Sequence, residues 1–414
     1  MARRASERLV NMELPKTLSE LARRVGCEGY PERWEALYPG CLADFQKNGC
    51  VFTDPEYYAG LHHRYGIFKE FLPLYQEAAI AVGKDSALAL FLSVLCRALQ
   101  DREHHKADMK AFKRPKHGND FAVNMVCALA AASEAPMCHE LLTSRGIPKT
   151  VLESVMNSPE FGVRFYQLRH NGKPGYNLLD WFQLSIDGKL FRLGRLEYEI
   201  FNTFKGRVCV FENAYGERIA LAHDIPLHRS GLALGSAGCT DPEGSYEALV
   251  RESETAYTGH PVRADGSVDN FEIVLPKNAW NKILSYGDPV VSVHIPAGGG
   301  LTEEAVDDSI TQAKQFFSKY FPDFEYRAFV CYSWLMDPQL VDLLGTDTNI
   351  AKFNLRFSKM TCKSAAEAVF SFIYLLPEAP SDYATLPQRT TLERKLKEHY
   401  LAGNYIYEQV GYFF

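Results

Sequence analysis

Residues 289–320, PVVSVHIPAGGGLTEEAVDDSITQAKQFFSKY, constrain the fold more than any other stretch. An apolar strand runs into three consecutive glycines and then into a long amphipathic helix. Val291, Val293 and Ile295 alternate with Ser292 and His294, the period-two pattern of a strand with two distinct faces. Thr302 reads as an N-cap, and Ala305, Ile310, Ala313, Phe316 and Phe317 form one apolar stripe on the helix that follows. Gly298, Gly299 and Gly300 allow φ > 0 where the strand turns into the helix. A glycine loop opening on a helix N-terminus is a geometry that holds phosphate on backbone N–H groups. A phosphorylated cofactor is therefore one expectation for this loop, and a plain tight turn is the other. Glu303, Glu304, Asp307 and Asp308 suit the helix dipole but work against a bound anion, and Pro296 removes one donor. Other phosphate fingerprints are absent: there is no G-x-x-x-x-G-K-S/T, and Gly231, Gly235 and Gly238 miss the G-x-G-x-x-G spacing.

The chain has 414 residues, enough for two or three domains with cores of their own. A net charge of −6 argues against a general nucleic-acid binder. The ten cysteines are scattered singly with no C-x-x-C pair, so neither a zinc site nor a disulfide framework is expected. The opening MARRASERLV lacks an apolar h-region, and no run of about 18 apolar residues suggests a membrane span. A cytoplasmic protein with no metal, no nucleic-acid partner and no membrane partner is the expectation.

The first part reads as a helical bundle over residues 1–158. Thr17-Leu18-Ser19-Glu20 is a capping box with Gly26 as its stop, and Asp54-Pro55 pairs an N-cap with a proline at the first helical position. Further helices are predicted over 67–82, 85–100, 120–132, 136–144 and 149–156, with 86–99 apolar almost all round and hence central. From about residue 161 the composition favours strands: 163–168, 178–186, 190–201, 207–212 and 218–223. Asp187-Gly188 reads as a hairpin turn between two of them. A helix over 245–255, strands near 271–275, 289–295 and 326–335, helices over 365–374 and after the Thr390-x-x-Glu393 box, and a terminal strand complete the reading. The expected class is α+β, with residues 159–414 as a mixed sheet flanked by helices.

HIPAGGGL, the helix after it, AFVCYSWLMDPQL, FRLGRLEYE and GHPVRADGSV together resemble a family of bacterial acyltransferase-like proteins. That family joins a helical N-terminal domain to a C-terminal domain like the GNAT (N-acetyltransferase) superfamily. The resemblance implies an N-acyltransferase that moves an acyl group from acetyl-CoA or another acyl-CoA to a small-molecule or peptide amine by direct attack. It implies a V-shaped sheet with the acyl-CoA between two splayed central strands, and a helical domain that shapes the acceptor site. The superfamily's pyrophosphate loop, roughly Gln/Arg-x-x-Gly-x-Gly/Ala, falls on this chain with Gly298 and Gly300 at the glycine positions and Ile295 at the first. Ala297, Gly298, Gly299, Gly300, Leu301 and Thr302 are then the cofactor-binding residues. A GNAT-like binding or scaffolding protein that does not take CoA is the competing reading.

Acyl transfer from a thioester to an amine needs a base, oxyanion donors and an acid for the leaving thiolate. His294, near the strand end, is the candidate base; its alternative is a histidine bonded within the sheet. Glu197 and Glu199 share one strand face as base and amine anchor, or else form a solvent face salt-bridged by Arg195. Tyr332 and Ser333 are candidates for the acid. Cys331 would be a nucleophile only with a histidine in reach, and otherwise packs as a small apolar side chain. The basic run 104–117 is expected to be a solvated loop.

Overall fold

The computed structural model describes residues 14–116 and 120–414. It divides into two compact units that meet between Phe191 and Arg192. The first unit is helical: α1 (Leu18–Val25), α2 (Trp34–Asn48), α3 (Pro55–Tyr65), α4 (Leu72–Gly83), α5 (Ser86–Gln100), α6 (His105–Ala111), α7 (Phe121–Ser133), α8 (Ala135–Ser144), α9 (Lys149–Met156), α10 (Ser158–Arg169) and α11 (Leu179–Ile186). Capping chemistry sets several of these ends. The Thr17–Glu20 box opens α1 and Gly26 closes it at φ 70°, while Asp54 caps α3 ahead of Pro55. In α5 all but three side chains are buried, as its unbroken apolar character requires.

Residues 163–168 and 178–186 are helical, not the strands their aromatic content predicts. Among their buried residues are Val163 and Tyr166 in α10, and Leu179, Phe182 and Ile186 in α11, apolar side chains three to four positions apart as a helix packed on the bundle requires. Asp187-Gly188 accordingly closes α11 and joins no hairpin. The basic run is a loop only in part: residues 105–111 form α6 with His105, Asp108 and Met109 buried, residues 112–116 are irregular, and His117 lies outside the described residues. Helix α2 escapes the sequence pattern because Pro39 interrupts it. Residues 121–144 taken together are long and apolar enough to cross a membrane, but 83% of the most apolar window is buried in the bundle, which accounts for its composition.

The second unit carries β1 (Leu190–Leu193), β2 (Leu196–Phe201), β3 (Val208–Asn213), β4 (Arg218–Ala222), β5 (Ile225–Leu227), β6 (Tyr246–Ala248), β7 (Arg251–Glu252), β8 (Ala256–Gly259), β9 (Ile273–Pro276), β10 (Trp280–Leu284), β11 (Val290–His294), α12 (Glu303–Tyr320), β12 (Phe329–Ser333), α13 (Gln339–Leu344), α14 (Asn349–Leu355), β13 (Ser358–Thr361), α15 (Ala368–Phe372), α16 (Thr391–Leu401) and β14 (Gln409–Phe413). Residues 245–255 form β6, β7 and their connection in place of the helix expected there; Ile225 pairs with Ala248 across β5–β6, and long-range pairing overrides local helix propensity.

The main sheet is mixed and runs β1-β2-β11-β12-β14-β13. Only β11 and β12 are parallel within the paired registers, and α12 is the crossover between them. One sheet face contributes Val290, Val330, Met360, Val410 and Tyr412 to a core shared with Val208 and Val210 of the β10-β3-β4 sheet. Each such aliphatic side chain contributes roughly 1.5–3 kcal/mol when fully buried. On the opposite face, Ser309 of α12 hydrogen-bonds Tyr198 Oη at 2.9 Å, so the helix lies against β2.

Candidate functional site

The parallel pair β11–β12 is joined at Val291–Phe329 and Ser292–Val330. Both strands continue beyond those pairs, to His294 and Ser333, so they part at their C-terminal ends. The opposite edge of β11 behaves differently, pairing with β2 over all five residues from Val290–Phe201 to His294–Glu197. At His294, β11 is therefore paired along one edge and unpaired along the other.

Antiparallel partners project on the same face. Glu197 lies opposite His294 and Glu199 opposite Ser292, so the two carboxylates and the histidine share one face. His294 Nε2 lies 2.9 Å from Glu199 Oε2. Both side chains are partly open, at 26% for His294 and 13% for Glu199. Burial pushes the Glu197 carboxyl up, against the pull of Arg192, His294 and Arg195. Extending the parallel register puts Tyr332 on this face and Cys331 and Ser333 on the other. The Lys205 amide donates to Tyr332 Oη at 3.1 Å, and burial pushes this phenol up to about 12. Ser333 Oγ instead accepts from the Leu335 amide, capping the short turn after β12. Cys331 is buried and its thiol is pushed up to about 12, which suits a packing residue and not a nucleophile.

The glycine loop follows directly on β11. Gly298 and Gly299 have φ of 85° and 68°, conformations that glycine adopts without strain. A Cβ at Gly298 would meet nothing within 4 Å, so this side of the loop is open. Residues 297–300 are exposed, and Thr302 caps α12 through the Ala305 amide. Among the described residues, the amides of Ala297, Gly298, Gly299, Gly300 and Leu301 donate to no backbone carbonyl. The acidic start of α12 is partly neutralised from α14: Lys352 Nζ sits 2.8 Å from Glu303, and Arg356 pairs with Asp307.

Arg195 does not salt-bridge the neighbouring carboxylates. Its guanidinium donates to the carbonyls of Pro296, Gly299 and Gly300 at 3.0, 3.2 and 3.1 Å. The β2–β11 register explains its reach, since continuing that pairing past Glu197–His294 sets Arg195 against Pro296. The sequence offered one signal, a Gly-Arg pair between two short apolar runs, but read as one continuous strand it concealed the turn. Taken together, backbone donors on an exposed loop and two glycines at positive φ fit the anionic part of a nucleotide-like ligand. The histidine–carboxylate pair at the parted strands suits proton removal.

Residues 190–413 match the family described as GNAT-like C-terminal domain. Solved structures share the fold at low identity. One is an acyltransferase in complex with CoA and 10C-teicoplanin, 20% identical, with a TM-score of 0.61 over 95% of this chain and 98% of that one. Another is an acyltransferase mutant in complex with octanoyl-CoA, 19% identical, with a TM-score of 0.60 over the same shares, 95% and 98%. A third, in complex with decanoyl-CoA, is 22% identical, with a TM-score of 0.53 over 82% of each chain. No curated protein matches the chain.

Proposed function

The chain belongs to the GNAT-like C-terminal domain family, and from that premise we propose that it is an acyl-CoA-dependent N-acyltransferase acting on an amine. The observation that carries this reading is the parting of β11 from β12 beside a glycine loop with open amides, with His294 at the opening. The amides of 297–301 and the start of α12 at Thr302 would hold the pyrophosphate. The acyl-CoA, once bound, supplies a thioester carbonyl activated toward attack. His294, held against Glu199 at 2.9 Å, takes the proton of the incoming amine. Glu197, opposite His294, anchors the amine as an ammonium ion before that transfer. The amine nitrogen bonds to the carbonyl carbon, the C–S bond breaks, and the Tyr332 hydroxyl gives its proton to the leaving thiolate; the surplus proton still on the nitrogen passes to solvent, from which Tyr332 is reprotonated. A phenol held at about 12 keeps its proton at neutral pH and so remains a donor. Ser333 faces away from His294 and has no part in this scheme.

The solved neighbours are in complex with decanoyl-CoA, with octanoyl-CoA, or with CoA and 10C-teicoplanin. We extend those ligands to this chain as candidates: a medium-chain acyl donor and a bulky polar amine acceptor. The test is calorimetric titration of the wild-type protein and Gly299→Glu with CoA, acetyl-CoA, octanoyl-CoA and decanoyl-CoA. The variant forces a side chain onto φ 68° and adds a carboxylate to the loop. Saturable binding lost in the variant is the expected result. Silence of all four ligands on folded wild-type protein overturns the proposal and favours the binding-module reading, to which Ile295 in place of Gln or Arg points.

A further inference from the structure

We propose that Arg195 is the positioning residue of the anion site: by gathering three loop carbonyls it turns the loop's amides outward toward the diphosphate, an inference that rests on the acyl-CoA reading.

In a planar trans peptide, C=O and N–H point in opposite directions. Arg195 draws in the carbonyls of Pro296, Gly299 and Gly300. The amides of the same peptide units belong to Ala297, Gly300 and Leu301, so these three N–H groups must point away from the guanidinium. They are among the amides that donate to no backbone carbonyl. One side chain therefore sets the direction of three donors without touching the ligand itself.

The turn carrying Arg195 is itself anchored to the helix that the loop opens. Ser309 Oγ of α12 donates to Leu193 O at 2.5 Å and accepts from the Leu196 amide at 3.1 Å, bonding the chain on both sides of Gly194-Arg195. Gly194 has φ 64°, and a Cβ there would come within 3.3 Å of the Ser309 backbone. Turn, helix and loop thus form a closed frame: Ser309 holds the turn, the turn holds Arg195, and Arg195 holds the loop that leads back into α12. A guanidinium suits this task because its donors are spread in a rigid planar fork, whereas a lysine ammonium is a compact point charge.

The experiment compares wild type, Arg195→Met and Arg195→Lys by calorimetry, with CoA and with pantetheine, which lacks the diphosphate. If Arg195 orients the loop, both variants bind CoA at least about tenfold more weakly, while pantetheine affinity and melting temperature stay near wild type. If Arg195→Lys binds CoA as wild type does, charge rather than orientation is the contribution and the inference is overturned. Equal losses for CoA and pantetheine overturn it as well, since they report general damage to the groove. Should wild type bind no CoA, the acyltransferase reading fails while the clamp remains open to test in ligand-free protein labelled with 15N-glycine. The Gly300 amide should then be ordered on the ps–ns timescale in wild type and mobile in Arg195→Met; equal order in both overturns the clamp.

Discussion

Each unit of the molecule contains a histidine among carboxylates, and the two clusters sit in opposite surroundings. In the helical unit, Glu134 is fully buried and pairs with Arg102 Nη2 at 2.9 Å, while His105 Nε2 lies 2.8 Å from Asp187. In the sheet unit, His294 bonds Glu199 at 2.9 Å where β11 and β12 part, and Glu197 lies opposite. Burial pushes Glu134 up to about 7. By perturbation alone, then, the helical cluster looks the better active site. Yet its carboxylate is shut among helices and already has a cation, whereas the sheet cluster faces a break in pairing beside an open loop. A displaced pKa marks a functional group only where a ligand can reach it.

Four measurements test this contrast. His294→Ala should lower turnover by about 100- to 10,000-fold, the usual contribution of a positioned base, with melting close to wild type. A variant that lost its fold instead would make His294 structural and erase the contrast. Glu134→Ala should do the reverse, costing about 3 kcal/mol in denaturant unfolding because a fully buried side chain and its hydrogen bond to Arg102 are both lost. Turnover per folded molecule should remain near wild type.

The third measurement is pH dependence. The Glu134 carboxyl titrates near 4.5 when unfolded and about 7 when folded, so the folded state favours the neutral form. That contribution is complete below pH 4.5 and fades as pH rises through 7. Wild type should therefore lose stability, on the order of 3 kcal/mol, relative to Glu134→Gln across that window. A flat difference would show that the ion pair with Arg102 keeps Glu134 charged throughout. The smallest effect is expected of Tyr332→Phe: about 1 kcal/mol of stability from the lost Lys205 hydrogen bond, with turnover reduced less than in His294→Ala. A turnover loss equal to that of His294→Ala would make Tyr332 as important as the base.

Much of the fold could be read in the sequence wherever short-range chemistry decides it. Thr17, Asp54, Thr302 and Thr390 each cap the helix they were expected to cap. The strand-glycine-helix unit at 290–320 formed as its pattern predicts. Errors cluster where distant partners decide. Residues 163–168 and 178–186 carry β-favouring aromatics but belong to the bundle, and 246–248 pairs with a strand some twenty residues earlier. At the site, alternation placed Glu197 with Glu199 and Ser292 with His294 on shared faces. Nothing local could bring the two strands into register, and Arg195 was misread for the same reason.

What the sequence determined by itself is the set of local commitments: helix ends, strand faces, and a glycine loop able to take φ > 0 ahead of α12. These follow from interactions within a few residues, which the chain carries wherever it goes. The tertiary structure decided which faces meet. The β2–β11 register brought His294 to Glu199, the separation of β11 from β12 opened the sheet beside them, and Ser309 fixed the turn from which Arg195 reaches the loop. Those contacts join residues about a hundred positions apart. Packing of the whole sheet against α12 and the core selects them, and no window of the sequence contains both partners.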